Sequence, residues 1–142
     1  MNSSSSEEEV LARAAELVHA FGRHDREAYF AFFDREATFV FPTGPFLGSR
    51  AAYEDEWARW EASGWRVVSC TSTDRRADEV TGDVVVYTHR ARTRVHDADG
   101  DHDLDERETI VFGRTRDGAW VAVHEHLSTT PDGLSDGGSE GT

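Results

Sequence analysis

Residues 116–128 read Arg-Asp-Gly-Ala-Trp-Val-Ala-Val-His-Glu-His-Leu-Ser, and their spacing decides the fold class. Arg116, Asp117 and Gly118 carry a turn signal, and from residue 119 to 129 apolar positions recur with a period of two. In an extended strand that period sets Val121, Val123, Glu125 and Leu127 on one face, and Ala122, His124, His126 and Ser128 on the other. The first face is mostly apolar, so it is the one expected to turn inward. Glu125 is then a carboxylate in apolar surroundings, where desolvation raises the pKa and readies a carboxyl for proton transfer. The competing reading pairs Glu125 with one of the Arg residues or leaves it at the strand's edge.

Working outward, the same period predicts strands at about 107–114, 83–96 and 65–73, broken at residues 75–78, at an acidic turn over 98–103 and at 116–118. Strands joined in sequence by short turns make an antiparallel meander. Upstream of Trp65 the period changes to 3.6. Val10, Ala14, Leu17, Val18 and Phe21 form a helical stripe that Gly22 ends, and Ser6 with Glu9 has the spacing of a capping box. A short second helix follows Asp25 and carries Ala28, Tyr29, Phe32 and Phe33. A short strand spans 38–41, a loop of turn formers spans 42–48, and a third helix runs from about Arg50 to Ala62. Helices first and strands afterwards imply an α+β domain, three amino-terminal helices packed on one face of a curved antiparallel sheet. The domain is expected to span residues 8–130. Residues 1–7 and the Gly, Ser and acid tail 131–142 have little to bury and are expected to be disordered.

Three stretches, taken in order, carry a family resemblance. They are residues 17–39 (Leu-Val-His-Ala-Phe-Gly-Arg-His-Asp-Arg-Glu-Ala-Tyr-Phe-Ala-Phe-Phe-Asp-Arg-Glu-Ala-Thr-Phe), residues 47–53 (Leu-Gly-Ser-Arg-Ala-Ala-Tyr) and the ending 116–128. Together the chain resembles the SnoaL-like proteins of the nuclear transport factor 2-like superfamily, and its ending is also similar to that of the association domain of calcium/calmodulin-dependent kinase II. The resemblance implies a cone-shaped fold with a pocket between helices and concave sheet, and a homodimer formed through the sheet. It implies a small apolar molecule as ligand and no cofactor. It leaves open whether the domain is an isomerase, cyclase or dehydratase acting by proton transfer, or a ligand-binding or assembly module without turnover.

On this reading Glu125 is the candidate base, with His89 or Tyr53 stabilising an oxyanion. Tyr53, Trp57 and Trp60 share a helical face and are either core or pocket wall. Phe41 and Phe46 are expected at the pocket mouth, with Tyr87 and Leu127 among the residues that touch ligand. His124 and His126 lie about 7 Å apart on one strand face, a spacing that suits interface hydrogen bonds between sheets or two ligands of one metal. Asp97, Asp99, Asp101, Asp103, Asp105 and Glu108 fall at the ligand positions of a calcium loop. The sixth position, however, is His102 rather than Gly, and the flanks read as strands, so a solvated acidic hairpin is expected instead. Cys70 is read as a small buried apolar residue.

Composition narrows the partners. The formal net charge is −13 and all 15 basic residues are Arg, which argues against nucleic acid and anionic membranes. A single cysteine, no long apolar run and no basic-then-apolar leader together give the expectation of a cytoplasmic protein.

Overall fold

The computed structural model describes residues 4–131. In chain order the elements are α1 (Ser5–Gly22), α2 (Arg26–Phe30), β1 (Phe33–Val40), α3 (Arg50–Ala62), β2 (Arg66–Thr81), β3 (Val84–Asp97), β4 (Gly100–Arg114) and β5 (Trp120–Thr129). The strands form one sheet in the order β1-β5-β4-β3-β2. The meander from β2 to β5 is antiparallel as the sequence predicts, and β1 joins parallel to β5 at the sheet's edge. No helix among the described residues is long and apolar enough to cross a membrane.

Helix α1 starts earlier than its spacing suggests. Its capping box is Ser4 with Glu7, in which Ser4 Oγ accepts from the Glu7 amide and Glu7 Oε1 from the Ser4 amide, both at 3.1 Å. Residues 5–7 are therefore helical. Ser6 and Glu9, expected to cap, instead tie the helix to the far end of the sheet: Ser6 accepts from Arg114 and Glu9 from the Trp120 indole. The expected carboxy-terminal tail, 132–142, lies outside the described residues. At the other end of α1 the helix runs against β2 so closely that a Cβ on Gly22 would stand 3.2 Å from the Cys70 amide nitrogen, tighter than ordinary van der Waals contact.

Two strands are longer than their turn signals allow. β2 continues to Thr81 because Asp74 takes a left-handed conformation (φ 55°) in a bulge between Thr73 and Arg76, so the expected break at 75–78 becomes a bend. Further bulges near Val68 and Val80 add curvature and give the helices a concave face to cover. The acidic turn shrinks to Ala98-Asp99, and β4 starts at Gly100, whose φ of 109° suits glycine. The calcium-loop pattern is thus spread over two paired strands, where Asp97 meets His102, Asp101 meets His96 and Asp103 meets Arg94.

The core lies between the helices and the inner sheet face, and it is strongly aromatic: Trp57, Tyr29, Tyr87, Phe33, Phe39 and Phe112 are all fully buried. Each such ring contributes roughly 1.5–3 kcal/mol by burial, and edge-to-face pairs such as Tyr29–Phe33 and Phe30–Trp57 add about 0.5–1.5 kcal/mol more.

Candidate active site

β5 does not keep one alternation from end to end. Phe112 of β4 pairs with Ala122 while Val111 pairs with His124, so Val123 is an extra residue in a bulge. Before the bulge Trp120 and Ala122 face inward and are buried; after it Glu125 faces inward with 3 % of its surface exposed, and Leu127 follows. The single face proposed from spacing is therefore corrected: Val121 and Val123 are only half-buried and do not share the inner face with Glu125 and Leu127. His124 and His126 remain on the outer face, 6.1 Å apart between ring centroids, with His124 Nδ1 hydrogen-bonded to Thr38 at 2.8 Å.

Glu125 lines a cavity of about 300 Å³ between α1, α3 and the concave sheet. Six aromatic rings wall it: Phe21, Tyr29, Phe41, Tyr53, Trp60 and Trp65. Of the expected contacts, Tyr53, Phe41 and Leu127 reach the cavity. Trp57 does not, because it is fully buried behind the wall, its indole donating to Glu61 at 2.8 Å. Tyr87 is likewise buried beside Phe112 and takes a hydrogen bond from Arg75. Phe46 is 64 % exposed on the loop after β1 and stands outside the lining.

Two further carboxylates enter from β4. The inner face of that strand runs from rim to floor as Leu104, Glu106, Glu108, Ile110 and Phe112, and its first three members line the cavity. Glu108 and Glu125 enter the cavity from adjacent strands, diagonal across the β4–β5 register and close enough for one, when protonated, to bond to the other. Burial above all, then the charge of Glu108 and the bond to it, drives the Glu125 carboxyl well above its ordinary value. Burial raises Glu108 to about 7, with the charge of Glu106 adding to it while the bond from Glu125 pulls the other way. Two carboxyls in contact cannot both ionise cheaply, so the pair shares a proton near neutrality; the His89 N–H directed at Glu108 favours Glu108 as the partner that carries the charge.

Both partners are held from behind. The Tyr29 hydroxyl lies 3.3 Å from Glu125 Oε1 and 3.0 Å from the Tyr53 hydroxyl. Burial and then the charge of Glu125 raise both phenols, so they stay protonated. His89, expected in the pocket, is displaced from it: it is sealed behind Glu108, with Nε2 2.5 Å from Glu108 Oε1 and Nδ1 2.6 Å from Ser72 Oγ. Burial, and then the charge of Arg75, lower the ring to about 4, so it is neutral. Ser72 donating to Nδ1 and Nε2–H donating to Glu108 satisfies all three groups. Cys70 also lines the cavity; burial raises its thiol to about 11, so it is no nucleophile at neutral pH. Among the described residues no three His, Cys, Asp or Glu are arranged to hold a metal ion.

Glu106, Glu108 and Tyr29 are the site residues that spacing alone missed. The signal was present, because counting back by twos from the apolar Ile110 and Phe112 arrives at Glu108 and Glu106.

The chain matches the SnoaL-like domain family over residues 10–132. No curated protein matches it. Among solved structures it is similar to a ketosteroid isomerase-like protein from Erwinia carotovora atroseptica, with a TM-score of 0.80 at 12% identity, covering 91% of this chain and 100% of that one. It is also similar to the CaMKII hub of S. rosetta, with a TM-score of 0.70 at 21% identity and coverage of 91% and 100%. A third similar structure is an NTF2-like protein of unknown function in nutrient uptake from Rhodospirillum rubrum, with a TM-score of 0.74 at 18% identity and coverage of 86% and 98%. These likenesses establish a shared architecture, and with the family match they identify the chain as a member of the SnoaL-like domain family.

Proposed function

We propose that this domain is a cofactor-free enzyme that moves a proton on a small, largely apolar compound bearing a carbonyl group. One observation carries the reading: the carboxyls of Glu108 and Glu125, buried together on adjacent strands in the wall of an aromatic cavity. A pair that holds one proton offers an acid and a base together, which isomerisation and dehydration both require. Glu108, ionised and backed by His89, takes the proton from the carbon next to the carbonyl. As Glu108 takes up that proton, Glu125 turns its own proton from Glu108 to the oxygen on which negative charge develops, while Tyr53 and Tyr29 hold Glu125 in place by their chain of hydrogen bonds. The base is thus Glu108 rather than Glu125, because His89 Nε2 stands 2.5 Å from Glu108 and stabilises its ionised form. His89 acts as a positioning residue.

The reaction can be read without knowing the natural substrate. With β-tetralone in heavy water, the protein should accelerate deuterium uptake at the carbons flanking the carbonyl, as followed by mass spectrometry. Glu108→Gln should lower that rate by roughly 10²–10⁴-fold. Uptake no faster than in buffer, or an unchanged rate in the variant, would remove the proposal.

Assembly is a separate proposal, in which a second copy pairs through the outer sheet face that carries His124 and His126. Half-buried Val111, Val121 and Val123 beside His124 support it, since they give that face an apolar strip. A monomer mass by light scattering at micromolar concentration would exclude it.

A further inference from the structure

The cavity is lopsided in charge. Glu106, Glu108 and Glu125 all line it, while no Arg or His does among the described residues. Arg side chains of the same strands are spent on the other face, Arg90 on Asp105 and Arg94 on Asp103. Glu106 also differs from its two neighbours. They bond to each other, to Tyr29 and to His89, whereas no hydrogen bond or ion pair reaches the Glu106 carboxylate among the described residues. It sits between the half-open rim at Leu104 and the buried Glu108, in a wall that includes Trp60, Trp65 and Phe41. Aromatic faces and an unpaired carboxylate lining one cavity attract a cation twice, through the ring quadrupoles and through direct charge. An anion entering the same space would face like charges without any compensating donor. The formal charge of −13 biases encounter the same way.

We infer that the compound bound in this cavity carries a protonated amine, which rests on Glu106 within the aromatic-walled cavity while its uncharged body extends toward the Glu108–Glu125 pair. This rests on the reading of the cavity as a substrate site and adds a charge requirement to it. Strand geometry sets Glu106 and Glu108 about 7 Å apart, so the ammonium group and the reacting carbon are separated by roughly that distance. Carboxylate- and phosphate-bearing compounds are excluded.

Three probes of matched skeleton test this: phenethylamine, phenethyl alcohol and hydrocinnamate, titrated into the purified protein with tryptophan fluorescence as readout, since Trp60 and Trp65 line the cavity. Phenethylamine should bind at least about tenfold more tightly than the alcohol, and hydrocinnamate least of all. Glu106→Gln should erase the preference for the amine over the alcohol; circular dichroism checks that the variant folds. A pH series adds a second readout. Burial, followed by the charges of Glu125 and Asp105, raises Glu106 to about 7; Glu108 on the same strand, Tyr53 from α3 and Cys70 from β2 also face it. Phenethylamine affinity should therefore rise from pH 6 to 8 as Glu106 ionises, with no such rise for the alcohol. An alcohol that binds as well as the amine, or hydrocinnamate binding best, overturns the charge requirement alone. Failure of all three probes to bind overturns it together with the cavity's role as a ligand site. Deuterium uptake from β-tetralone reports separately on the proton-transfer reading.

Discussion

Along β4, neighbouring acids lead opposite lives. Asp103 and Asp105 project to the outer face of the sheet, where Arg94 and Arg90 bond them and hold both carboxyls below the ordinary range. Glu106 and Glu108, one and three residues beyond Asp105, project inward, meet no Arg, and are pushed up to about 7 chiefly by burial. Chemical type is the same on both faces. Solvent access and the sign of the nearest charge differ, and a two-residue alternation chooses between them. The outer face uses its acids for paired structure; the inner face keeps them protonatable and available.

The most severe way to break this contrast is to remove the device that aims Glu125. Deleting Val123 abolishes the bulge, so either Trp120 and Ala122 or Glu125 and Leu127 must turn outward. Losing two inward side chains should cost at least ~3–5 kcal/mol of stability or prevent folding, whereas Val123→Ala keeps the residue count and should cost under about 1.5 kcal/mol. A deletion variant that unfolds in urea at the wild-type midpoint would show that the bulge does not separate the faces.

A smaller effect sharpens the contrast through pH. Glu106 and Glu108 have folded values raised above the unfolded ones, so the folded state binds more protons and stability falls as pH rises through about 7. His89 works the other way: its folded value is lowered to about 4, so its contribution grows from about pH 4 and is complete above about 6.5. Between about pH 6.5 and 8 the glutamates dominate, and the protein should lose on the order of 1–3 kcal/mol by urea titration. Glu108→Gln should flatten that decline. A wild-type stability that climbs over the same interval would contradict the burial of these carboxyls.

The smallest change belongs to the outer face. Asp105→Asn removes the charge and breaks the bidentate pair with Arg90 by replacing the oxygen that accepts from Nη2, while its Oδ1 can still accept from Arg90 Nε and Thr130. Because Asp105 is partly exposed, the loss should be about 0.2–1 kcal/mol, shrinking further in high salt. What Asp105 does contribute is present above the ordinary carboxylate range and is lost as pH falls through its lowered folded value. A salt-independent loss of several kcal/mol would mean that this face, too, is effectively buried.

Much of this was legible in the chain itself. Period changes at Trp65 separated helices from strands, and Glu125 and Leu127 were expected to face inward. Glu125 does face inward, but not in the company of Val121 and Val123 that plain alternation predicts, because the bulge shifts those two off the inner face. His89 illustrates the opposite failure. It lies on the inner face as alternation requires, yet Glu108 stands between it and the cavity, and periodicity carries no information about depth. Asp97 to Asp105 form the solvated acidic hairpin that spacing predicts, whereas Glu108, on the other parity of the same strand, turns to the interior.

By itself the sequence determined the layering, three helices followed by a meander, because hydrophobic period is a local property that the backbone geometry of each element translates directly into a buried face. It also determined that the chain is acidic and carries Arg as its only basic side chain apart from His. Only the tertiary structure decided which acids meet. Glu108 and Glu125 are 17 positions apart and become partners through the register of β4 on β5, which depends on a one-residue bulge. Their raised values follow from the helices and aromatic rings that exclude water above them. Register and desolvation are sums over contacts distant in sequence, and no local spacing encodes them.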